Sequence, residues 1–207
     1  MTAGSGILHQ EMPRGDERGR MHGFQLWANL PASLKMTAPR YQDIPSAAIP
    51  EVTEDDGTRA RIICGEFWGK RGPVEGVAAD PSYVDISVPP NTRKRIKVDV
   101  TRNAFAYVFA GAGTFRDASA PQAVLTESSV DPNATPEYDA KNHSLVLFDR
   151  GDEIVVQAGP EGIRFLLVSG KPLEEPVAWY GPIVMNTQAE LQQAMRELQN
   201  GKFIRHG

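Results

Sequence analysis

The 207 residues contain a single cysteine, Cys64. An intrachain disulfide framework and a cysteine-rich zinc site are therefore excluded, and a reducing, cytoplasmic compartment is the natural setting. Basic charge is not in excess. The formal charge is -4, which argues against direct nucleic-acid contact as the main activity. No apolar run approaches the length of a membrane span. Residues 1–10 carry neither a basic start nor an apolar signal core, so secretion is not indicated. Histidine is scarce as well, at positions 9, 22, 143 and 206.

What is present suits a folded chain. Hydrophobic residues make up 41% and charged residues 23%, enough for a buried core and too apolar for wholesale disorder. The length allows one large or two small domains. Sixteen prolines and nineteen glycines point to many turns.

Periodicity reads as β throughout most of the chain. Phe24, Leu26, Ala28 and Leu30 alternate with polar neighbours, the period of a half-buried strand that Pro31 ends. Prolines 39, 45 and 50 read as an extended linker. After the turn signal Glu54-Asp55-Asp56-Gly57, strands are expected over 59–66, 83–88, 95–100, around Phe105, Tyr107 and Phe109, and over 144–148, 153–157 and 164–169. Residues 117–142, rich in Ala, Ser, Pro and Asp, read as a long excursion. Short strands broken by Gly and Pro indicate a sandwich or barrel. One helix is expected near the end. Thr187 with Glu190 forms a capping box, Leu191, Ala194, Met195 and Leu198 share a face, and Gly201 is the stop.

Chemistry concentrates in Gly4-Ser5-Gly6-Ile7-Leu8-His9-Gln10-Glu11. If Ile7 to Met12 is extended, His9 and Glu11 project to the same side. An imidazole nitrogen beside a carboxylate oxygen suits a divalent transition metal, non-haem Fe(II) among them. Taken alone, a His-x-Glu pair is as readily a hydrogen-bonded structural pair, and two ligands do not complete a site. His22, His143 and His206 supply no convincing replacement. Arg93, Arg95 and Lys97 alternate on one strand face, with Lys94 beside them. A solvated outer face explains them better than a binding patch for an acidic partner or nucleic acid. Trp27, Trp68 and Trp179 read as packing residues, and Cys64 as buried and inert.

Several stretches together resemble the pirin family of the cupin superfamily. They are residues 1–12, His22-Gly-Phe-Gln-Leu-Trp-Ala-Asn-Leu30, Lys35-Met36 with Tyr41-Gln42, residues 169–177, and Tyr180-Gly-Pro-Ile-Val-Met-Asn-Thr187. The resemblance implies an all-β bicupin, two tandem cupin-type barrels of which the first holds Fe(II) and the second holds no metal. It makes His9 and Glu11 metal ligands. The family's other two ligands, an upstream His-x-His pair, would lie before Met1, so the chain reads as a fragment with an incomplete first barrel. The expected domains are 1–50, the remainder of the metal-binding barrel plus linker; 51–185, the metal-free barrel; and 186–207, helix and tail.

The implied activity is that of quercetin 2,3-dioxygenase, opening of a flavonol-like ring with O2. Glu11 would serve as a ligand or as the catalytic base that takes the hydroxyl proton. This chain is expected to be weak or inactive, since half of the ligand set is missing. The competing class is a non-enzymatic, redox-sensitive regulator that acts on a protein partner.

Overall fold

The computed structural model describes residues 1–77, 79–116, 122–123 (backbone only) and 140–204. Most of the expected excursion over 117–142, and His206, lie outside the described residues. The chain forms two compact units. One is Ile44–Pro172, and the other joins Met1–Asp43 to Leu173–Gly207. The expected boundaries lay after residues 50 and 185; the compact units divide in sequence at 43/44 and 172/173.

The unit Ile44–Pro172 contains β1 (Glu51–Thr53), β2 (Arg59–Cys64), β3 (Glu66–Phe67), β4 (Lys70–Arg71), β5 (Ser82–Val88), β6 (Arg93–Lys97), β7 (Asn103–Arg116), β8 (Gln122–Ala123), β9 (Ala140–Lys141), β10 (Ser144–Phe148) and β11 (Glu153–Gly170). The main sheet runs β1-β2-β5-β11-β7-β10-β8, with β6 on β11 and β9 on β7, all antiparallel. β3 and β4 form a separate hairpin.

Alternation decides which side chains go inside. Val84, Ile86 and Val88 of β5 meet Ile62 of β2, Ala106 and Val108 of β7, Val146 of β10 and Phe165 of β11 in one buried cluster. Each strand contributes every second residue, as a pleated strand must. The opposite face is not bare. Phe109, Leu166 and Val168 form a second cluster, with Tyr83, Phe105 and Tyr107 packed against it. The aromatics that mark β7 in the sequence thus belong to the outer face, and its small residues face the core. On that outer face Arg164 grips Asp85 with two bonds, Nε to Oδ1 at 2.9 Å and Nη2 to Oδ2 at 2.6 Å. Its guanidinium also lies 5.0 Å from the centre of the Phe109 ring.

The irregularities of the long strands fall at one level. Between Ala158 and Ile163 the β11 ladder with β7 skips register, so Gly159-Pro160-Glu161-Gly162 is absorbed as an irregularity within one strand. Sequence reading expects two strands there, because Gly and Pro are turn signals. β5 gives way to β6 through Pro89-Pro90-Asn91-Thr92 at the same level, where the Asn91 N–H donates to the Gly159 carbonyl at 3.0 Å. Gly111 completes the corner. Its φ is +66°, and a Cβ there would stand 2.1 Å from the Gly162 carbonyl oxygen. Only glycine fits such an approach.

Cys64 ends β2. It is buried, its Sγ donates to the Val74 carbonyl at 3.5 Å, and burial pushes its thiol pKa up.

In the other unit, Thr2 and Arg40 exchange backbone bonds of 2.7 and 2.9 Å, and the Ser5 N–H donates to the Thr37 carbonyl at 2.8 Å. Residues 7–12 and 22–31, both expected as strands, carry no ladder. Leu8, Met12 and Trp27 are exposed. An alternating pattern states which face a strand would bury, but a strand exists only beside another. Among the described residues none lies beside these two. Besides a 3-10 turn at Ala32–Leu34, the regular elements among this unit's described residues are β12 (Ala178–Tyr180), β13 (Ile183–Met185) and α1 (Gln188–Gln199). Leu191 and Ala194 of α1 pack on Ala178, Ile183 and Met185 of the hairpin, with Phe203 beyond the helix end. The capping box is formed as expected. The Glu190 N–H donates to Thr187 Oγ1 at 3.2 Å, and the Thr187 N–H donates to Glu190 Oε2 at 2.8 Å. No helix among the described residues is long and apolar enough to cross a membrane.

Candidate functional site

His9 and Glu11 stand together. Imidazole Nδ1 and carboxylate Oε1 are 3.8 Å apart, and both side chains are substantially exposed. Two donors bound side by side to one ion at about 2.1 Å stand about 3 Å apart, so a small side-chain rotation would bring this pair onto a common metal. The other carboxylate oxygen is engaged. Gln25 Nε2 donates to Glu11 Oε2 at 2.8 Å, and the Trp27 indole N–H donates to Gln25 Oε1 at 3.3 Å. Residues 9–11 and 25–27 are joined here by side chains where the ladder is missing.

The donors fit a divalent metal in kind but not in number. Among the described residues no group of three or more His, Cys, Asp or Glu side chains could hold an ion. His22 packs edge-on against Phe24, ring centres 5.1 Å apart. His143 lies in the other unit, in the turn before β10, at a φ of +68° with its N–H donating to the Val108 carbonyl.

The barrel unit buries one cation on β6, flanked by exposed ones. Arg93, Arg95 and Lys97 are exposed on β6, and Arg95 pairs with Glu153 at 3.4 Å. Lys94 and Ile96 face inward and are buried. The Lys94 ammonium bonds Glu54 and, at 2.7 Å, Asp56 Oδ2, and lies 5.2 Å from the centre of the Trp68 ring. Trp68 itself has a φ of +44°, an uncommon conformation for so large a residue. Burial pulls the Lys94 pKa down, and the bonds to Asp56 and Glu54 more than reverse this, leaving it raised. From the sequence Lys94 is grouped with the solvated outer face of Arg93, Arg95 and Lys97; the structure buries it, as its position two residues before Ile96 requires. Sequence reading also passes over Gln25, which no local pattern connects to Glu11.

Residues 83–204 match the family model described as the Pirin C-terminal cupin domain. This chain belongs to the pirin family. It is 39% identical over 204 residues to a pirin-like protein of Caulobacter vibrioides, covering 98% of this chain and 66% of the relative. It is 38% identical over 202 residues to a pirin-like protein of Solanum lycopersicum, covering 98% of this chain and 62% of that one. Among solved structures it is similar to quercetin 2,3-dioxygenase from Acinetobacter baumannii, with a TM-score of 0.70 and 27% identity over 86% of this chain and 55% of that one. The chain thus spans about two thirds of the curated relatives' length and about half of the solved structure's. The cupin β-fold expected from the motifs is the fold observed, all-β among the described residues apart from α1 and two short 3-10 turns.

Proposed function

We propose that His9 and Glu11 are two protein ligands of a divalent metal, Fe(II) by family resemblance, in a site of the quercetin 2,3-dioxygenase type in a cytoplasmic pirin. The observation that carries this reading is the convergence of imidazole and carboxylate at 3.8 Å, in a pirin whose fold is similar to that enzyme's. When bound, the metal would supply Lewis-acid polarisation of a flavonol-like substrate beside O2. His9 would act only as a ligand. Glu11 would hold the metal or take the substrate's hydroxyl proton.

Two donors hold an ion weakly, because metal affinity grows with a preformed, complete ligand set. Residues 1–207 alone should therefore retain iron far below one per chain after anaerobic loading and desalting, and should take up little or no oxygen with quercetin. Attaching a segment with the family's His-x-His pair should raise both. One tightly held iron per unextended chain, lost on His9→Ala, would overturn the two-donor reading.

A second reading, a non-enzymatic regulator, is favoured by Val177, Trp179 and Tyr180, large apolar side chains exposed along and beside β12. Retention of a protein partner with no oxygen uptake even in the extended chain would select it.

A further inference from the structure

We propose that Gln25 is a positioning residue for the Glu11 carboxylate, and that Trp27 fixes the orientation in which Gln25 works. The metal consequence rests on the reading above. The hydrogen-bond chain does not.

A primary amide offers a donor nitrogen and an acceptor oxygen, and which end faces which neighbour is set by the partners. An indole nitrogen only donates. Trp27 Nε1 lies 3.3 Å from Gln25 Oε1, so the amide oxygen must face the indole. The amide nitrogen is then left to face Glu11 Oε2 at 2.8 Å. The inverted amide would set N–H against N–H at one end and oxygen against oxygen at the other. Trp27 thus selects one of the two amide orientations, the one that presents a donor to the carboxylate.

The effect on Glu11 is directional. With Oε2 tied to Gln25, the other oxygen, Oε1, is turned toward His9 Nδ1. An unanchored glutamate at this exposure would sample many rotamers, and ligand binding would have to immobilise it. Anchored by Gln25, it presents one oxygen to the space beside His9 before any ligand arrives. Polar groups that hold ligating carboxylates act in this manner on metal affinity. Trp27 is largely exposed, so its role here is the direction of one N–H rather than core packing.

Two measurements test this separately. In the metal-free chain, Glu11→Ala should shift the Gln25 side-chain amide resonances, and Gln25→Met should shift the Trp27 indole N–H resonance. Unmoved resonances would overturn the hydrogen-bond chain. In the second measurement, Mn(II) is titrated while broadening of the His9 imidazole signals is followed. Gln25→Met, close in shape and without hydrogen-bonding groups, should raise the Mn(II) midpoint about tenfold, with the spectrum of the barrel unit unchanged. Trp27→Phe, which keeps a ring and frees the amide to invert, should raise it by a smaller factor. Equal midpoints in the wild type and Gln25→Met would overturn the positioning role. Absence of broadening at His9 in the wild type would overturn the metal reading, and the metal-free measurement then decides the hydrogen-bond chain by itself.

Discussion

Lys94 on β6 and Asp56 in the β1–β2 turn are joined by a 2.7 Å bond between Nζ and Oδ2 across 38 residues of sequence. Glu54 from the same turn holds the ammonium as well. Lys94 is almost fully buried, whereas both carboxylates keep contact with water. Lys94→Met should destabilise the barrel unit by about 1–3 kcal/mol, less than a fully buried pair because the carboxylates stay hydrated. Urea unfolding followed by Trp68 fluorescence reads the change.

The same triad sets a pH dependence. Burial pushes the Asp56 carboxyl up, but the bonds from Lys94 and Thr58 outweigh it and hold the group below its usual range. A lowered carboxyl stabilises fully above its unfolded value, about 3.9, and that contribution disappears as pH falls through the lowered folded value. Lys94, raised, contributes fully below about pH 10.4 and loses its contribution as pH rises through the raised value. Urea midpoints should therefore fall in acid below about pH 4, and less steeply in Lys94→Met. Identical acid limbs in both proteins would contradict the assignment.

Gly111→Ala tests the barrel corner. A methyl at a φ of +66°, 2.1 Å from the Gly162 carbonyl oxygen, cannot be placed without moving backbone. A loss of about 2 kcal/mol or more is expected. Gly170→Ala is the control, since no atom lies within 4 Å of its added carbon; it should stay within about 0.5 kcal/mol.

Thr187→Ala removes one half of the capping box and should cost about 1 kcal/mol, with faster hydrogen exchange in the first turn of α1. Thr187→Ser should restore most of the protection.

Limited proteolysis should cut within residues 7–27 before the barrel unit. Those residues carry no ladder and are almost all exposed, so little must open before a protease binds. Early cleavage of β5, β7 or β11 with residues 7–27 intact would contradict this.

The barrel was legible in the sequence wherever a strand has a partner and a single buried face. Val84, Ile86 and Val88 alternate, and all three are buried. The helix was legible from its cap, because Thr187 and Glu190 interact across a single turn. What could not be read depends on distant chain. The Gly159–Gly162 stretch looks like a hairpin turn, and only the neighbouring β7 makes it an irregularity within one strand. The alternation over 22–30 names a face to bury and says nothing about a neighbour to pair with. At the candidate site, spacing placed His9 and Glu11 side by side and the structure does so too. Gln25 lies fourteen residues from Glu11, and no periodicity links them. Lys94 was readable by parity with Ile96 and was obscured by the cationic residues on either side.

Cys64 has a consequence of another kind. It is the only thiol in the chain, it sits at the end of β2, and it is closed off beneath the Val74 carbonyl. A thiol reagent can reach it only when that rim of the sheet parts, so the rate of labelling measures how often the rim opens. The protein therefore carries a built-in stopwatch for the breathing of its barrel, readable without introducing any probe.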